Sequence, residues 1–118
     1  MAKIDPFTVL VYHCKKNIER LKNRLAKLVE FDDAGCLIWR GTVNHNGYGC
    51  INFRMPKQYP VNHVQFGAHM IFWVLANKRN PRPGFELDHK CRNPVCVLPA
   101  HLQEVPLAVN RANIRRHW

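Results

Sequence analysis

Three potential metal ligands lie close together in one segment of the chain. Cys91 and Cys96 are five residues apart, and His101 follows Cys96 after the same interval. Thiolates and imidazoles are the ligands that a structural zinc prefers, and such a site is closed by four protein ligands. The fourth could be another cysteine or a histidine, and Cys36 is favoured because it begins a predicted strand just after a turn. The alternative interpretation is a pair of small buried thiols beside a surface histidine.

Two residues that could act on a substrate stand directly before this segment. Asp88 and His89 end a predicted strand at residues 85–89. A neutral imidazole can accept a proton from water near pH 7, and a carboxylate can hold a divalent cation against a phosphate. The pair therefore suits metal-assisted hydrolysis. The plainer alternative is an acid at a strand end beside a histidine whose hydrogen bonds are already made.

The hydrophobic pattern predicts the elements that must position these side chains. Ile18, Leu21, Leu25 and Leu28 form one stripe of an amphipathic helix, and the residues from Asn44 to Gly47 are typical of a hairpin turn. Helices and strands are both present, so we expect an α+β fold. The predicted helices cover residues 14–29, 68–76 and 106–117, and the predicted strands cover residues 36–40, 48–54, 61–65, 85–89 and 102–105.

Length and charge indicate the class of protein and of partner. A chain of 118 residues suits one compact domain, in which a basic helix and turn at residues 1–34 precede the main part at residues 35–118. Eighteen lysines and arginines against eight acids give a net charge of +10, and residues 34–85 contain no acid at all. Because protein surfaces usually mix both signs, we expect a polyanionic partner, most often a nucleic acid. Solvated basic faces are the alternative.

Other features argue against a membrane protein and against a disulfide-stabilised one. The longest apolar run, at residues 70–76, is too short to span a membrane, and the N-terminus lacks a signal-peptide pattern. We therefore expect a cytoplasmic protein. Five cysteines are an odd number, which disfavours a pure disulfide framework and favours metal binding. Cys14 and Cys50 are expected to be buried thiols.

The segment from Asp88 to Asn110 resembles the HNH endonucleases of the ββα-metal (His-Me finger) superfamily. The resemblance rests on the pattern Asp88-His89-x-Cys91-x4-Cys96-x2-Pro99-x-His101-Leu102, followed by Asn110 nine residues after His101. Upstream, Gly35-Cys36-Leu37-Ile38-Trp39 and Gly47-Tyr48-Gly49 resemble elements of zinc-containing phage HNH enzymes and His-Cys box homing endonucleases. The resemblance covers about residues 35–115.

This resemblance implies a role for each residue of the pattern. His89 would be the general base, Asp88 and Asn110 would hold a catalytic magnesium or another divalent cation, and Arg54 would assist at the phosphate. The structural zinc, about one per chain, would be bound by Cys36, Cys91, Cys96 and His101. The middle asparagine of an HNH motif would fall at position 98, where this chain has Leu98.

The implied fold and activity follow from the same family. The fold would be a small ββα-metal domain after an antiparallel sheet and an N-terminal helix. The activity would be hydrolysis of double-stranded DNA to 5′-phosphate and 3′-hydroxyl ends, by a monomer or a homodimer. A non-catalytic zinc-stabilised DNA-binding module and an accessory protein of a phage DNA-processing complex are the alternatives. The residues expected to contact DNA are Arg40, Arg54, Lys57, Lys15, Lys16, Arg20, Arg111 and Arg115.

Overall fold

A computed structural model describes residues 4–109, which form two α-helices and six short β-strands. The strands pair into three two-stranded antiparallel sheets, β1 with β2, β3 with β4 and β5 with β6. The predicted α+β class is therefore correct. The element bounds are α1 Pro6–Ala26, β1 Val29–Phe31, β2 Leu37–Trp39, β3 Cys50–Arg54, β4 His63–Gly67, α2 Ala68–Asn77, β5 Phe85–His89 and β6 Leu102–Pro106, with a 3-10 turn at Pro99–His101.

Helix α1 begins eight residues earlier than the hydrophobic stripe predicts. Asp5 caps it, because the Asp5 carboxylate accepts the backbone N–H of Thr8 at 2.8 Å and Pro6 occupies the first turn. At the other end the helix stops at Ala26, and residues 29–31, predicted as helix end and turn, form β1 against β2. Pro106 closes β6 instead of opening the last helix, and residues 107–109 are helical.

One apolar core joins the elements. Val9 and Leu25 of α1, Phe53 of β3, Ile71 of α2 and Leu87 of β5 are all buried in it. Helix α1 thus packs into the same core as the sheets that follow. None of the helices within residues 4–109 has the length and apolar character needed to cross a membrane.

The Trp39 side chain packs directly against two glycines, Gly41 and Gly49. Its indole is buried, and its Nε1 donates to the carbonyl of Thr42 at 3.0 Å. A Cβ atom at Gly41 would lie 2.6 Å from the ring, and one at Gly49 would lie 2.4 Å from it. Both distances are shorter than contact distance, so these positions need glycine for the chain to close over the ring. The packing holds the start of β3 against β2.

Candidate functional site

Cys36, Cys91, Cys96 and His101 come together as predicted. Their ligand atoms all lie within 4.8 Å of one another, and Cys36 Sγ and Cys96 Sγ are each 3.6 Å from His101 Nδ1. A tetrahedral zinc with ordinary Zn–S and Zn–N bonds separates a sulfur and a nitrogen ligand by about 3.6 Å. The four residues therefore fit a structural zinc, and the choice of Cys36 as the fourth ligand is consistent with this geometry.

The local backbone sets Cys36 in place. The Asp32 carboxylate accepts the backbone N–H of Cys36 at 2.8 Å, and the carbonyl of Cys36 accepts the N–H of Asp32 at 2.9 Å. This closed turn, with Gly35 at φ 84°, fixes the residue just before β2. Its side chain is directed toward the segment that carries the other ligands, as the 3.6 Å approach to His101 shows.

The ligand-bearing loop attaches to the edge of β2. The backbone N–H of Trp39 donates to the carbonyl of Val95 at 2.9 Å, and that of Val97 donates to the carbonyl of Leu37 at 2.8 Å. Cys96 lies between these two bonds and is fully buried. The loop thus extends β2 by one short antiparallel bridge, which brings Cys96 beside Cys36.

The electrostatics of the cluster favour a cation. Burial, together with the neighbouring thiols of Cys96 and Cys91, raises the pKa of the Cys36 thiol to about 12. Burial also raises the pKa of Cys96. Three thiolates this close repel one another, and a divalent cation removes that repulsion by binding all three.

His89 is fixed by the same loop. It is buried, and its Nε2 lies 3.0 Å from the carbonyl of Cys96. Because a carbonyl can only accept, this contact requires the proton on Nε2 and leaves the lone pair on Nδ1. Burial lowers the pKa of His89, while the Cys96 carbonyl and the Asp88 carboxylate act in the opposite direction. The imidazole is therefore neutral at pH 7.

Asp88 is equally buried but is held by different partners. Gln103, its register partner on β6, donates from Nε2 to Asp88 Oδ2 at 2.9 Å. Arg92 Nη1 lies 3.4 Å from Asp88 Oδ1. His89, the next residue of β5, pairs across the sheet with Leu102 rather than with Gln103. Adjacent residues of a strand direct their side chains to alternate faces. Asp88 still acts electrostatically on His89. Burial raises the pKa of Tyr48, and the Asp88 and Glu86 carboxylates raise it further.

Two aromatic neighbours of His89 were not part of the predicted site. The His69 ring lies 4.8 Å from the His89 ring, and Tyr48 lies 5.8 Å from each, measured between centroids. Burial and the neighbouring His89 lower the pKa of His69 to about 3. His69 Nδ1 is buried without a hydrogen-bond partner among the described residues. A Cβ atom at Gly67 would lie 2.8 Å from His69 Cε1, so this glycine makes room for the ring.

The predicted arginine of the site lies elsewhere. Arg54 is at the end of β3 that pairs with His63, whereas Cys50, at the other end, follows Tyr48 by two residues. Four residues of extended strand separate Cys50 and Arg54 by about 13 Å. The structure therefore brings Tyr48, and not Arg54, beside His89.

The other predicted contacts with DNA are spread over the surface. Arg40 forms an exposed ion pair with Glu30 at 3.4 Å. Lys57 is exposed in the loop after β3, and Lys15 is exposed on α1. Asn110, Arg111 and Arg115 lie outside the described residues.

Within residues 4–109, the four zinc candidates are the only grouping of three or more potential metal ligands, so no carboxylate cluster for magnesium is present there.

A basic groove runs between α1 and the end of β3. Its volume is about 530 Å³. This α1–β3 groove is lined by His13, Lys16, Asn17, Arg20, Leu21, Arg24 and Arg54. It brings together Lys16, Arg20 and Arg54 of the predicted DNA-contacting residues.

Comparisons of the chain with protein-family models, with curated proteins and with solved structures found no match.

Proposed function

We propose that this protein is a metal-dependent DNA endonuclease of the HNH type, stabilised by one structural zinc. The observation that carries the proposal is the contact between His89 Nε2 and the Cys96 carbonyl. It connects the candidate base at the end of β5 to the loop that bears the zinc candidates. An imidazole held in this way has one nitrogen committed to the protein and the other ready to accept a proton.

The order of elements supports the proposal. β5 and β6 are antiparallel, the ligand-bearing loop joins them, and helical residues follow at 107–109. This strand, loop, strand and helix order agrees with a ββα finger. The middle asparagine of the family, replaced here by Leu98, would order the loop around the base. The Cys96 carbonyl can supply the same restraint on His89 from the backbone.

In the proposed reaction His89 Nδ1 takes a proton from the water that attacks the phosphorus. Asp88, with Asn110 from beyond the described residues, would hold a magnesium ion, whose chemistry is to neutralise charge on the phosphate and on the departing 3′ oxygen. The Asp88 carboxylate suits this role because hard oxygen ligands are those that magnesium prefers. Gln103 and Arg92 orient that carboxylate. The products would be a 5′-phosphate and a 3′-hydroxyl.

The test is cleavage of supercoiled plasmid by the zinc-loaded protein with magnesium or manganese, followed by mapping of the ends. We expect His89→Ala to lower the cleavage rate by about 10²–10⁴-fold, the usual contribution of a general base. Zinc content should stay at one per chain. His45→Ala is the matched control, since His45 is exposed on the turn before β3.

Two results would contradict the proposal. One is an absence of cleavage by the unchanged protein with either metal, and the other is equal cleavage by His89→Ala. A non-catalytic zinc-stabilised DNA-binding module is the second candidate, and the α1–β3 groove favours it. That function predicts salt-sensitive DNA binding that His89→Ala leaves unchanged.

A further inference from the structure

The α1–β3 groove owes its shape to a break in α1. Asn17 has φ −169° and ψ 94°, which interrupts the helix, and its side chain accepts the backbone N–H of Arg20 at 3.0 Å. Asn17 therefore caps the second segment of the helix. From this cap onward Arg20 and Arg24 lie one turn apart on the same face, and both line the groove.

The opposite wall is tied to the helix by hydrogen bonds. His13 Nε2 lies 3.1 Å from the carbonyl of Arg54, and Arg24 Nη2 donates to the carbonyl of Asn52 at 2.7 Å. The Arg24 guanidinium also lies 5.4 Å from the centre of the Phe53 ring. These contacts fix the groove against the main core, so its cations are held in a preformed arrangement.

Within residues 4–109, the positive charge of the groove is not balanced by carboxylates. No acidic residue lines it, and within residues 4–109 no carboxylate forms an ion pair with Lys16, Arg20 or Arg54. Other cations of the acid-free stretch differ in this respect, since Arg79 and Arg82 both pair with Glu104. Like charges one helical turn apart repel, so the arrangement is unfavourable until an anion binds.

We infer that the α1–β3 groove binds adjacent phosphodiesters of the DNA backbone away from the cleaved bond. This inference rests on the proposed endonuclease function. The groove lies at the end of β3 opposite Tyr48 and His89, about 13 Å or more along the strand. A phosphate in the groove is therefore a different one from the phosphate at His89. The groove anchors the duplex. Of the predicted DNA contacts, Lys16, Arg20 and Arg54 line the groove, whereas Lys15 lies outside it.

The experiment compares two double variants of equal charge. Lys16→Ala/Arg20→Ala removes two groove cations, and Lys15→Ala/Lys27→Ala removes two exposed cations of the same segment outside the groove. Binding of a fluorescent duplex is measured by anisotropy at several salt concentrations, with zinc present and magnesium omitted. Circular dichroism confirms that each variant is folded.

The plot of log K for DNA binding against log salt has a negative slope. We expect the groove variant to reduce the magnitude of this slope by about 2, one unit for each lost phosphate contact. The control variant should change it by much less. Arg54→Gln, from the other wall, should reduce the magnitude of the slope by about 1.

Equal effects of the two double variants, or no effect of either, would overturn the inference. So would a groove variant that keeps its DNA affinity but loses binding of inorganic phosphate or of a duplex RNA. If the groove variant loses DNA binding as expected while the unchanged protein cleaves nothing, the groove assignment stands and the endonuclease proposal fails.

Discussion

The main apolar core and the loop that bears the zinc candidates differ in the side chains that they bury. The core gathers large side chains from both helices and from β3 and β5, among them Phe53, Ile71 and Val74. The second buried cluster consists of Cys36, Ile38 and Cys96, with a few half-buried neighbours. Burial of one isoleucine contributes about 2 kcal/mol, which is little against the cost of ordering a loop of this length.

The difference indicates how the candidate active site is positioned. His89 belongs to β5, whose Leu87 packs in the main core, but its ring is held by the carbonyl of Cys96 in the second cluster. The core therefore supports the strand, and the loop that bears the zinc candidates orients the His89 imidazole. A change in one of these two supports should therefore leave the other unaffected.

Removal of the metal should have the largest effect. We expect about one zinc per chain by elemental analysis, and we expect Cys96→Ser to lose it. Structural zinc in small domains contributes on the order of 10 kcal/mol, which is comparable with the whole stability of a domain this size. A strong chelator should therefore unfold at least the ligand-bearing loop, as measured by thermal melting and by hydrogen exchange in residues 90–101.

Cys50→Ser is the matched control for this prediction. Cys50 is also buried, but its Sγ donates to the carbonyl of Thr42 at 3.6 Å and lies outside the metal cluster. This variant should keep its zinc and most of its stability. Retention of zinc by Cys96→Ser, or its loss from Cys50→Ser, would mean that the ligands are assigned wrongly.

Truncation in the main core should give the next largest effect and leave the metal in place. Phe53 is fully buried, so Phe53→Ala should lower the free energy of unfolding by about 3–5 kcal/mol. Zinc content should remain at one per chain wherever the variant is folded. Should Phe53→Ala prove too unstable to purify, Phe53→Leu allows the same comparison with a smaller loss of unfolding free energy. Release of zinc in the folded state of Phe53→Leu would show that the two regions are not independent.

Local chemistry made the C-terminal half of the fold predictable from the sequence. The strand at residues 85–89 is observed at the predicted residues, and α2 differs from its prediction by one residue. The apolar run of α2 begins after Gly67, and β5 begins directly after Pro83 and Gly84. Such signals act within a few residues. The zinc candidates were predictable for the same reason, since three of them lie within eleven residues of chain.

Features that depend on tertiary contacts were not predictable in this way. β1 exists because Val29 and Phe31 pair with β2, and nothing within residues 27–31 signals that pairing. The neighbours of His89 show the same limit. Tyr48 lies in the segment before β3 and His69 lies in α2, and only the closing of the chain over Trp39 and the space at Gly67 bring their rings together. The break in α1 is likewise confined to one residue, Asn17, whose side chain caps the segment that follows.

The smallest effect concerns a charge cluster that supports β6. The Glu104 carboxylate binds Arg79 at 2.9 Å and 3.1 Å and accepts the backbone N–H of Arg82, and these contacts lower its pKa to about 2. At pH 7 we expect Glu104→Gln to lower the melting temperature by roughly 4 °C. Glu30→Gln, which removes a more exposed ion pair with Arg40, should change it by less.

The pH dependence of this effect has a definite sign. The folded pKa of Glu104 lies below the ordinary value of 4.5, so its stabilisation is complete above pH 4.5 and is lost as the pH falls toward 2. The difference in stability between the unchanged protein and Glu104→Gln should therefore be constant from pH 7 to 5 and shrink below that. Urea unfolding of both proteins from pH 7 to 3 measures this difference directly, and metal loss at low pH affects both alike. A difference that grows on acidification would mean that Glu104 does not hold the loop between α2 and β5 through its charge.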